Sequence, residues 1–473
     1  MTNWIIKNSD SVANVAIITS QQGVPTEYGR DGTVALQATM NQAATAGKEL
    51  VGVGYVDISS TITVPNNLRM RWISGSLRMN SASTSRMFDF DGTSNSRIEY
   101  VTIDGNKTVT PSSDLVRLNN ATRCHMRGMT VTDAPGDNLG SILISGTTTY
   151  CEFEDNTLSN GEGSAFGMTG TGVKGNKFKG NRIADYTGFG IRVGDGANRN
   201  ILEDNYTESN GIELIGVTQA SWGNRIVNNN AEGCGDNGIS LSGYQNVCTG
   251  NTSRYNMKAG IWAWGSFNTI TGNACISNNR ENLGNNWSGI GISSNFGGTG
   301  QFNTITGNTL DDDQTVPTQF NNVRIAGVSY TIWATAASVA AAQYNLAGLN
   351  IYYTVGGGTT GNTIPTHTSG AESDGGVTWV YIRSFIGVAQ ASDNKVGPNV
   401  EGRFATGGLS VFDTGNFVRN AYVDDRMRSF TVSGLPSAGI SRKMIYISNP
   451  TGNKYGAISN GTSWYYLDGT LAT

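Results

Sequence analysis

Carboxylates and aromatic residues recur in this sequence at spacings that a repeating chain would bring onto one face. Short phrases led by glycine read Gly190-Ile191-Arg192-Val193, Gly211-Ile212-Glu213-Leu214, Gly238-Ile239-Ser240-Leu241, Gly260-Ile261-Trp262-Ala263 and Gly289-Ile290-Gly291-Ile292. The first and third residues after each Gly are apolar and the second varies. Alternation with a period of two turns the variable residue outward. The expected outward column is therefore Arg192, Glu213, Ser240, Trp262 and Gly291, with Gly194, Ile215, Ser242 and Trp264 in the next outward row. Turns before these strands add Asp185, Glu208 and Asp236, and a turn after one of them adds Asp195. Trp222 and Tyr244 share a column of their own, each two residues before a repeated Asn.

Flat aromatic faces suit sugar rings, and paired carboxylates suit cleavage of a glycosidic bond: one protonated acid at the leaving oxygen, and one base or nucleophile across the ring. Glu213 is the expected acid, held mid-strand between Arg and Trp neighbours. Asp236, one coil on, is the expected base, with Asp195 and Glu208 as substitutes. Arg192, Trp262, Trp264, Tyr244, Trp222 and Tyr255 are the expected sugar contacts. Two other chemistries draw on the same face. β-Elimination would use Arg192, Tyr255 and Lys258, and a non-catalytic fibre would only hold the sugar. Plainer roles compete as well. Arg192 and Glu213 could form a surface ion pair, Trp262 and Trp264 could fill a subunit interface, and Asp236 could cap a turn.

Other chemistry finds little support. The chain has two His, with no Ser/His/Asp or Cys/His arrangement beside them. The five Cys lack metal-ligand spacing and read as small buried hydrophobes, so neither a metal nor a cofactor is expected. Asp311-Asp312-Asp313 reads as a solvated loop rather than a calcium site. Gly52-Val53-Gly54 and Gly161-Glu162-Gly163 have no strand–helix phosphate context.

The element that must position the face is a repeat. An Asn recurs five residues before a second Asn with an apolar residue between them: Asn176/Phe178/Asn181, Asn200/Leu202/Asn205, Asn224/Ile226/Asn229, Asn246/Cys248/Asn251, Asn268/Ile270/Asn273 and Asn303/Ile305/Asn308. Cys151/Phe153/Asn156 fits the same frame, and Cys124 leads a fainter copy. A coil of about 23 residues cannot bury its apolar face alone, whereas stacked coils can. The asparagines suit tight bends, and their amides can bond along the stack. Composition agrees: 63 Gly with much Asn, Ser and Thr disfavours helix interiors, and 14% charged residues disfavours a coiled coil or a charged disordered chain.

Net charge is 32 − 36 = −4, and no Lys/Arg cluster tracks a phosphate backbone, so nucleic acid is not an expected partner. No apolar run approaches membrane-spanning length. The start, Met1 to Lys7, shows no secretory signal, and an odd number of Cys points to folding in a reducing cytoplasm.

The repeat resembles the pectate-lyase-like right-handed parallel β-helix, and the chain resembles a bacteriophage tailspike. A capping-helix phrase (Gly32 to Ala43), strand-like Val51 to Val56, and Ile98-Glu99-Tyr100-Val101-Thr102-Ile103-Asp104-Gly105-Asn106 look like the entry coils of that fold. Ile364 to Gly370 with Asp374-Gly375 resembles small β modules of phage tail proteins. The resemblance implies an all-β solenoid divided into an N-terminal arm and capping helix (1–50), a parallel β-helix (51–318), an inserted small β module (319–390) and a last coil with a C-terminal trimerisation region (391–473). An Ala-rich stretch from Ala334 to Ala342 reads as a short helix within the module. It further implies a capsule depolymerase on the virion tail, made in the host cytoplasm. Such a protein would be a homotrimer, joined to a tail or baseplate protein. Its substrate would be a bacterial surface polysaccharide: capsule, exopolysaccharide or O-antigen.

Overall fold

A computed structural model describes residues 3–7, 15–19, 31–80, 86–107, 114–135, 140–280, 287–293, 300–314, much of 318–384 and short strands between 395 and 466. Three long sheets of stacked strands, with 14, 12 and 12 strands, run the length of the repeat region. The chain is a right-handed parallel β-helix, as the repeat led us to expect. One coil runs through Ile201–Glu203 in sheet 1, Tyr206–Glu208 in sheet 2 and Ile215–Val217 in sheet 3. The next coil repeats this with Arg225–Val227, Asn230–Glu232 and Ile239–Leu241, each strand parallel to its predecessor and in register with it.

The Asn pair brackets the sheet 1 strand of each coil. Both columns are buried, and each side chain bonds to the coil above. Asn205 donates from its backbone N–H and from Nδ2 to Asn229 Oδ1, at 3.0 and 2.9 Å, and its Nδ2 also reaches Phe178 O at 3.0 Å. The first column is built alike, with Asn200 donating to Asn224 Oδ1. Where the column begins, Cys151 N–H donates to Asn176 Oδ1 at 2.9 Å. The left-handed backbone sits one residue before each ladder Asn rather than at it: Gly180, Asp204, Asn228 and Gly250 have φ of 63°, 56°, 55° and 68°. The ladder amides are thereby freed to satisfy buried backbone groups at the bend.

Apolar residues fill the lumen one layer per coil. Phe153 and Phe178 stack at 4.6 Å, with Phe166 edge-on to both. Helix Thr33–Thr45 closes the N-terminal end, burying Leu36, Met40 and Ala43, and Asp31 Oδ1 accepts from the Thr33 backbone N–H and Oγ1 at its start. Before it, Asn3–Lys7 pairs antiparallel with Val15–Thr19, which extends sheet 1 by pairing with Glu49–Val53.

Beyond Asn308 the coil completes with Asn321–Ala326, which pairs with Ser288–Ser293 in sheet 3. The chain later rejoins the stack at Lys395–Val396, Val400–Glu401 and Gly407–Val411. Between these lie a five-stranded sheet and a two-stranded one. Within the Ala-rich stretch the described residues, 335–339, form a turn and a strand rather than the expected helix. Ser338–Val339 is instead a strand antiparallel to Gly358–Thr359, because Val339 is needed in a small core with Tyr352, Val377 and Trp379. Residues 421–473 form a second unit, with a sheet of Ser429–Phe430, Met444–Ile447, Gly456–Ser459 and Trp464–Tyr466.

The ladder makes a stability prediction. Asn229→Ala strands the Asn205 amides inside the stack, at roughly 1–3 kcal/mol for each unsatisfied group. Asn230→Ala, one residue along on the outer face of sheet 2, should change stability by no more than about 0.5 kcal/mol. Denaturant unfolding of the two variants should separate them clearly, and equal midpoints would mean that the ladder is not a stabilising device.

Candidate functional site

A cleft of about 560 Å³ opens on the outer face of sheet 3. Its walls include Glu213, Asp236, Asp195 and Trp264, four of the residues singled out by type and spacing. Phe189, Gly216, Ser240 and the turn residues Thr218, Gln219 and Ala220 complete much of the rest.

The strand register differs from the one expected of the Gly-led phrases. Ile191 pairs with Ile215, and Arg192 with Gly216, so the outward column reads Gly167, Arg192, Gly216, Ser240, Trp262 and Gly291. Ile215 faces the core, not the outside. Glu213 is not mid-strand; it lies two residues before the strand, in a column with Phe189, Asn237 and Ala259. The reason is the ladder. Ile191, Ile215, Ile239 and Ile261 each stand ten residues after the second Asn of their coil, whereas Ile212 stands seven after. Gly211-Ile212 copies the phrase at the wrong distance.

This displacement buries Glu213, which is only 5% exposed. Its Oε1 accepts a short hydrogen bond from Ser240 Oγ and one of 3.1 Å from Asn237 Nδ2. Asn237 can turn only its NH2 toward Glu213, because its Oδ1 accepts from Ala259 N–H at 3.1 Å. The other carboxyl oxygen, Oε2, lies over Gly216, where an added Cβ would stand 3.0 Å from it and 2.4 Å from the Phe189 ring. Glycine at 216 therefore keeps open the approach to Oε2. Burial drives the Glu213 carboxyl up to about 8 and the nearby Asp236 charge adds to the rise, while the Ser240 and Asn237 hydrogen bonds and Lys258 oppose it. Glu213 is therefore mostly protonated at neutral pH, and with Oε1 engaged as an acceptor the proton belongs on Oε2.

Asp236 holds Lys258 at 2.8 Å, and Lys258 Nζ lies 5.2 Å over the Trp287 ring. Trp262 is buried beneath this group rather than presented to solvent, 4.8 Å from Trp287 and 6.1 Å from Trp264. Trp264 is the indole that reaches the cleft. Asp195 sits at the far wall, accepting from Thr169 Oγ1 at 2.5 Å.

The remaining expected contacts lie elsewhere. Arg192 is flanked by two glycines, is not among the cleft-lining residues and makes no ion pair with Glu213. Glu208 is exposed on sheet 2, 3.7 Å from Arg182 and accepting from Tyr206 Oη. Tyr255 donates to Asp313 at 3.2 Å. Trp222 and Tyr244 stack at 6.3 Å on the edge leading into sheet 1, with Arg199 4.7 Å above Trp222. Phe267 and Phe302, stacked at 5.0 Å, are a further exposed aromatic pair that the phrase-by-phrase reading missed. Each immediately precedes the first ladder Asn of its coil, Asn268 and Asn303, a position visible only once the ladder is the ruler. Asn237, Ser240 and Gly216 were likewise missed as partners of Glu213.

The region 114–275 matches the family model described as a right-handed beta helix region. Among solved structures, the A-module of the Azotobacter vinelandii mannuronan C-5 epimerase AlgE4 is similar at 12% identity with a TM-score of 0.58, covering 83% of this chain and 96% of that one. The Dettilon tailspike protein aligns at 17% identity and TM-score 0.49 over 72% of this chain and 77% of its own. A mutant tailspike protein of E. coli bacteriophage HK620, in complex with a pentasaccharide, aligns at 12% and 0.45 over 64% of each. No curated protein matches the chain by sequence. At 12% identity the likeness to the epimerase module speaks for the fold alone.

Protonation of Glu213 makes stability depend on pH. Its folded pKa lies above the unfolded value, so the native state holds more protons between about 4.5 and 8, and stability falls as pH rises through that window. Glu213→Gln mimics the protonated form and should abolish this loss, gaining a few kcal/mol over wild type at pH 9 and little at pH 4. Unfolding at both pH values measures it, and parallel pH profiles for the two proteins would refute a neutral Glu213.

Proposed function

We propose that the chain is an endo-acting glycoside hydrolase that binds and cleaves a bacterial surface polysaccharide in the cleft of sheet 3. The observation that carries the reading is Glu213: a buried carboxyl, mostly protonated at neutral pH, with Oε1 tied to Ser240 and Asn237 and Oε2 left over Gly216. Protonation of a glycosidic leaving oxygen requires a neutral acid with one oxygen free and a fixed orientation. Asp236 lines the same cleft, held by Lys258 Nζ at 2.8 Å, and is the carboxylate placed for the base or nucleophile. Asp195 stands as the substitute across the cleft. Trp264 supplies an aromatic face, and Phe189 a second apolar wall.

Elimination is less well served. Lys258 is engaged by Asp236, Tyr255 is engaged by Asp313, and neither Tyr255 nor Arg192 lines the cleft. The relatives' names support action on a polysaccharide: an epimerase of mannuronan, and a tailspike bound to a pentasaccharide. With the tailspike resemblance of the repeat, this reading extends to a homotrimer on a phage tail, joined to a tail or baseplate protein and acting at the bacterial surface.

The test is a product assay on capsular, exopolysaccharide and O-antigen polymers with the full chain. New reducing ends without ultraviolet absorbance from a conjugated double bond are expected. Glu213→Gln and Asp236→Asn should each lower the rate by about 10² to 10⁴-fold while retaining polymer binding, and activity should fall on the alkaline side near pH 8 as Glu213 ionises. Reducing ends accompanied by the absorbance would make the enzyme a lyase. Polymer binding with no cleavage by wild type would make it a receptor-binding fibre.

A further inference from the structure

A second cleft, of about 480 Å³, opens on the outer face of sheet 1 among the early coils. Its lining includes Arg69, Arg97, Arg123 and His125, with Glu49 and Glu99 as the opposing charges. Register sets it apart from the sheet 3 site. Arg97 pairs with His125, His125 with Glu152, Glu152 with Lys177 and Lys177 with Ile201, so four coils, roughly 19 Å along the axis, separate it from the coil of Glu213.

The charge arrangement is unfavourable as it stands. Arg69 lies directly opposite Arg97, and like charges in that relation repel; His125 is next in the column. The acids give only partial relief. Glu49 stands directly opposite Arg69 in the register, but its carboxylate pairs with Arg71 at 3.3 Å. Glu99 takes the Nη2 edge of Arg97 at 2.5 Å, which leaves Arg97 Nε buried without an acceptor. His125 Nε2 is also buried without a hydrogen-bond partner, its nearest carboxylate, Glu154, standing 3.3 Å away. Arg69 and Arg123 are exposed and make no ion pair among the described residues. Beside these donors the exposed Asn95 adds an amide suited to hydroxyls, and the hollow is large enough for a sugar ring.

We propose that this cleft is a second, non-catalytic site that holds a carboxylate-bearing sugar through the Arg69, Arg97 and Arg123 guanidiniums. Planar guanidiniums match a carboxylate in two-pronged fashion, and a carboxylate set among three of them relieves the repulsion in the column. Neutral hexoses satisfy the hydroxyl-binding groups but not the arginines. A site of this kind, four coils from the sheet 3 cleft and on another face, would tether an acidic polymer and raise its local concentration at the sheet 3 cleft without touching the bond that is cut. The inference stands on this cleft alone and holds whether or not the sheet 3 cleft hydrolyses anything.

The experiment is calorimetric titration of the intact chain with sodium glucuronate, in buffer freed of divalent cations over a chelating resin so that none bridges His125, Glu152 and Glu154. Glucose, acetate and inorganic sulfate are titrated in parallel. One glucuronate per chain is expected, bound at least about tenfold more weakly by an Arg69→Ala/Arg123→Ala variant and with unchanged affinity by Glu213→Gln. Arg69→Lys/Arg123→Lys should fall between, since it keeps charge and loses the planar fork. Both arginines are exposed, so the variants are expected to melt like wild type, and a matched melting curve is part of the result. The proposal is overturned if glucuronate binds the double Ala variant as well as wild type, if glucose binds equally, or if acetate and sulfate compete as well as glucuronate does, which would leave an unselective anion site. Absence of any saturable glucuronate heat also overturns it.

Discussion

The buried asparagine ladder is the constraint on which the rest of the molecule depends. A coil of a β-helix must turn sharply between short strands, and each bend leaves backbone groups inside the stack with no strand to pair with. Asn205 shows the solution: its Oδ1 accepts from the coil below, and its N–H and Nδ2 donate to the coil above. An aliphatic side chain of the same size would fill the space and leave those groups unpaired, so the position tolerates little else. Because the amide repeats once per coil, it also fixes where every coil begins. Side chains on the outer faces are then placed by counting from it.

That count explains how the sheet 3 cleft arises. The distance from the second ladder Asn to the sheet 3 strand is constant through the coils around the site, while the return from sheet 3 to the next ladder is not. Ile191 and Ile215 stand nine residues before the next ladder Asn, and Ile239 and Ile261 stand seven before it. The longer returns project Asp195 on one coil and Thr218, Gln219 and Ala220 on the next as a wall. Where the returns shorten, the surface steps down, and the cleft lies at the step. A uniform repeat would have given a flat face. The loss of two residues per coil, trivial for the core, makes the concavity that a ligand needs.

Much of this was legible in the chain. The Asn pairs give the solenoid and its period, because the spacing of a buried polar residue is under stricter control than the spacing of apolar ones. Glu213, Asp236, Asp195 and Trp264 were found as neighbours because any residues on the same side of adjacent coils must come close. The local phrase and the ladder disagree at one coil. Gly211-Ile212-Glu213-Leu214 looks like its fellows, and placed Glu213 on the outer face with Arg192. The ladder count places it in a buried column with Asn237. The same slip put Ile215 outside, whereas Trp262 keeps its place in the outward column and is covered there. Burial cannot be read from alternation alone in a strand of three or four residues, since the large neighbours that cover it, such as Trp264 and Trp287 over Trp262, come from other turns.

The corrected position of Glu213 changes its chemistry more than its neighbourhood. On an open strand next to Arg192, a carboxylate would stay ionised and its side chain would be free to turn, which is the poorer arrangement for an acid. Three residues earlier in the chain than the position beside Arg192, it lies under the surface, where desolvation favours the neutral form and three groups fix the side chain: Ser240 and Asn237 hold one oxygen, and the Phe189 ring packs beside Gly216 under the other. Hydrogen bonds to Oε1 work against the rise in its pKa, yet they are what orient Oε2. Burial outweighs them, and the carboxyl is left both protonated and aimed. An acid of this kind depends on glycine at 216 as much as on its own side chain, because any Cβ there would occupy the approach through which the proton must leave.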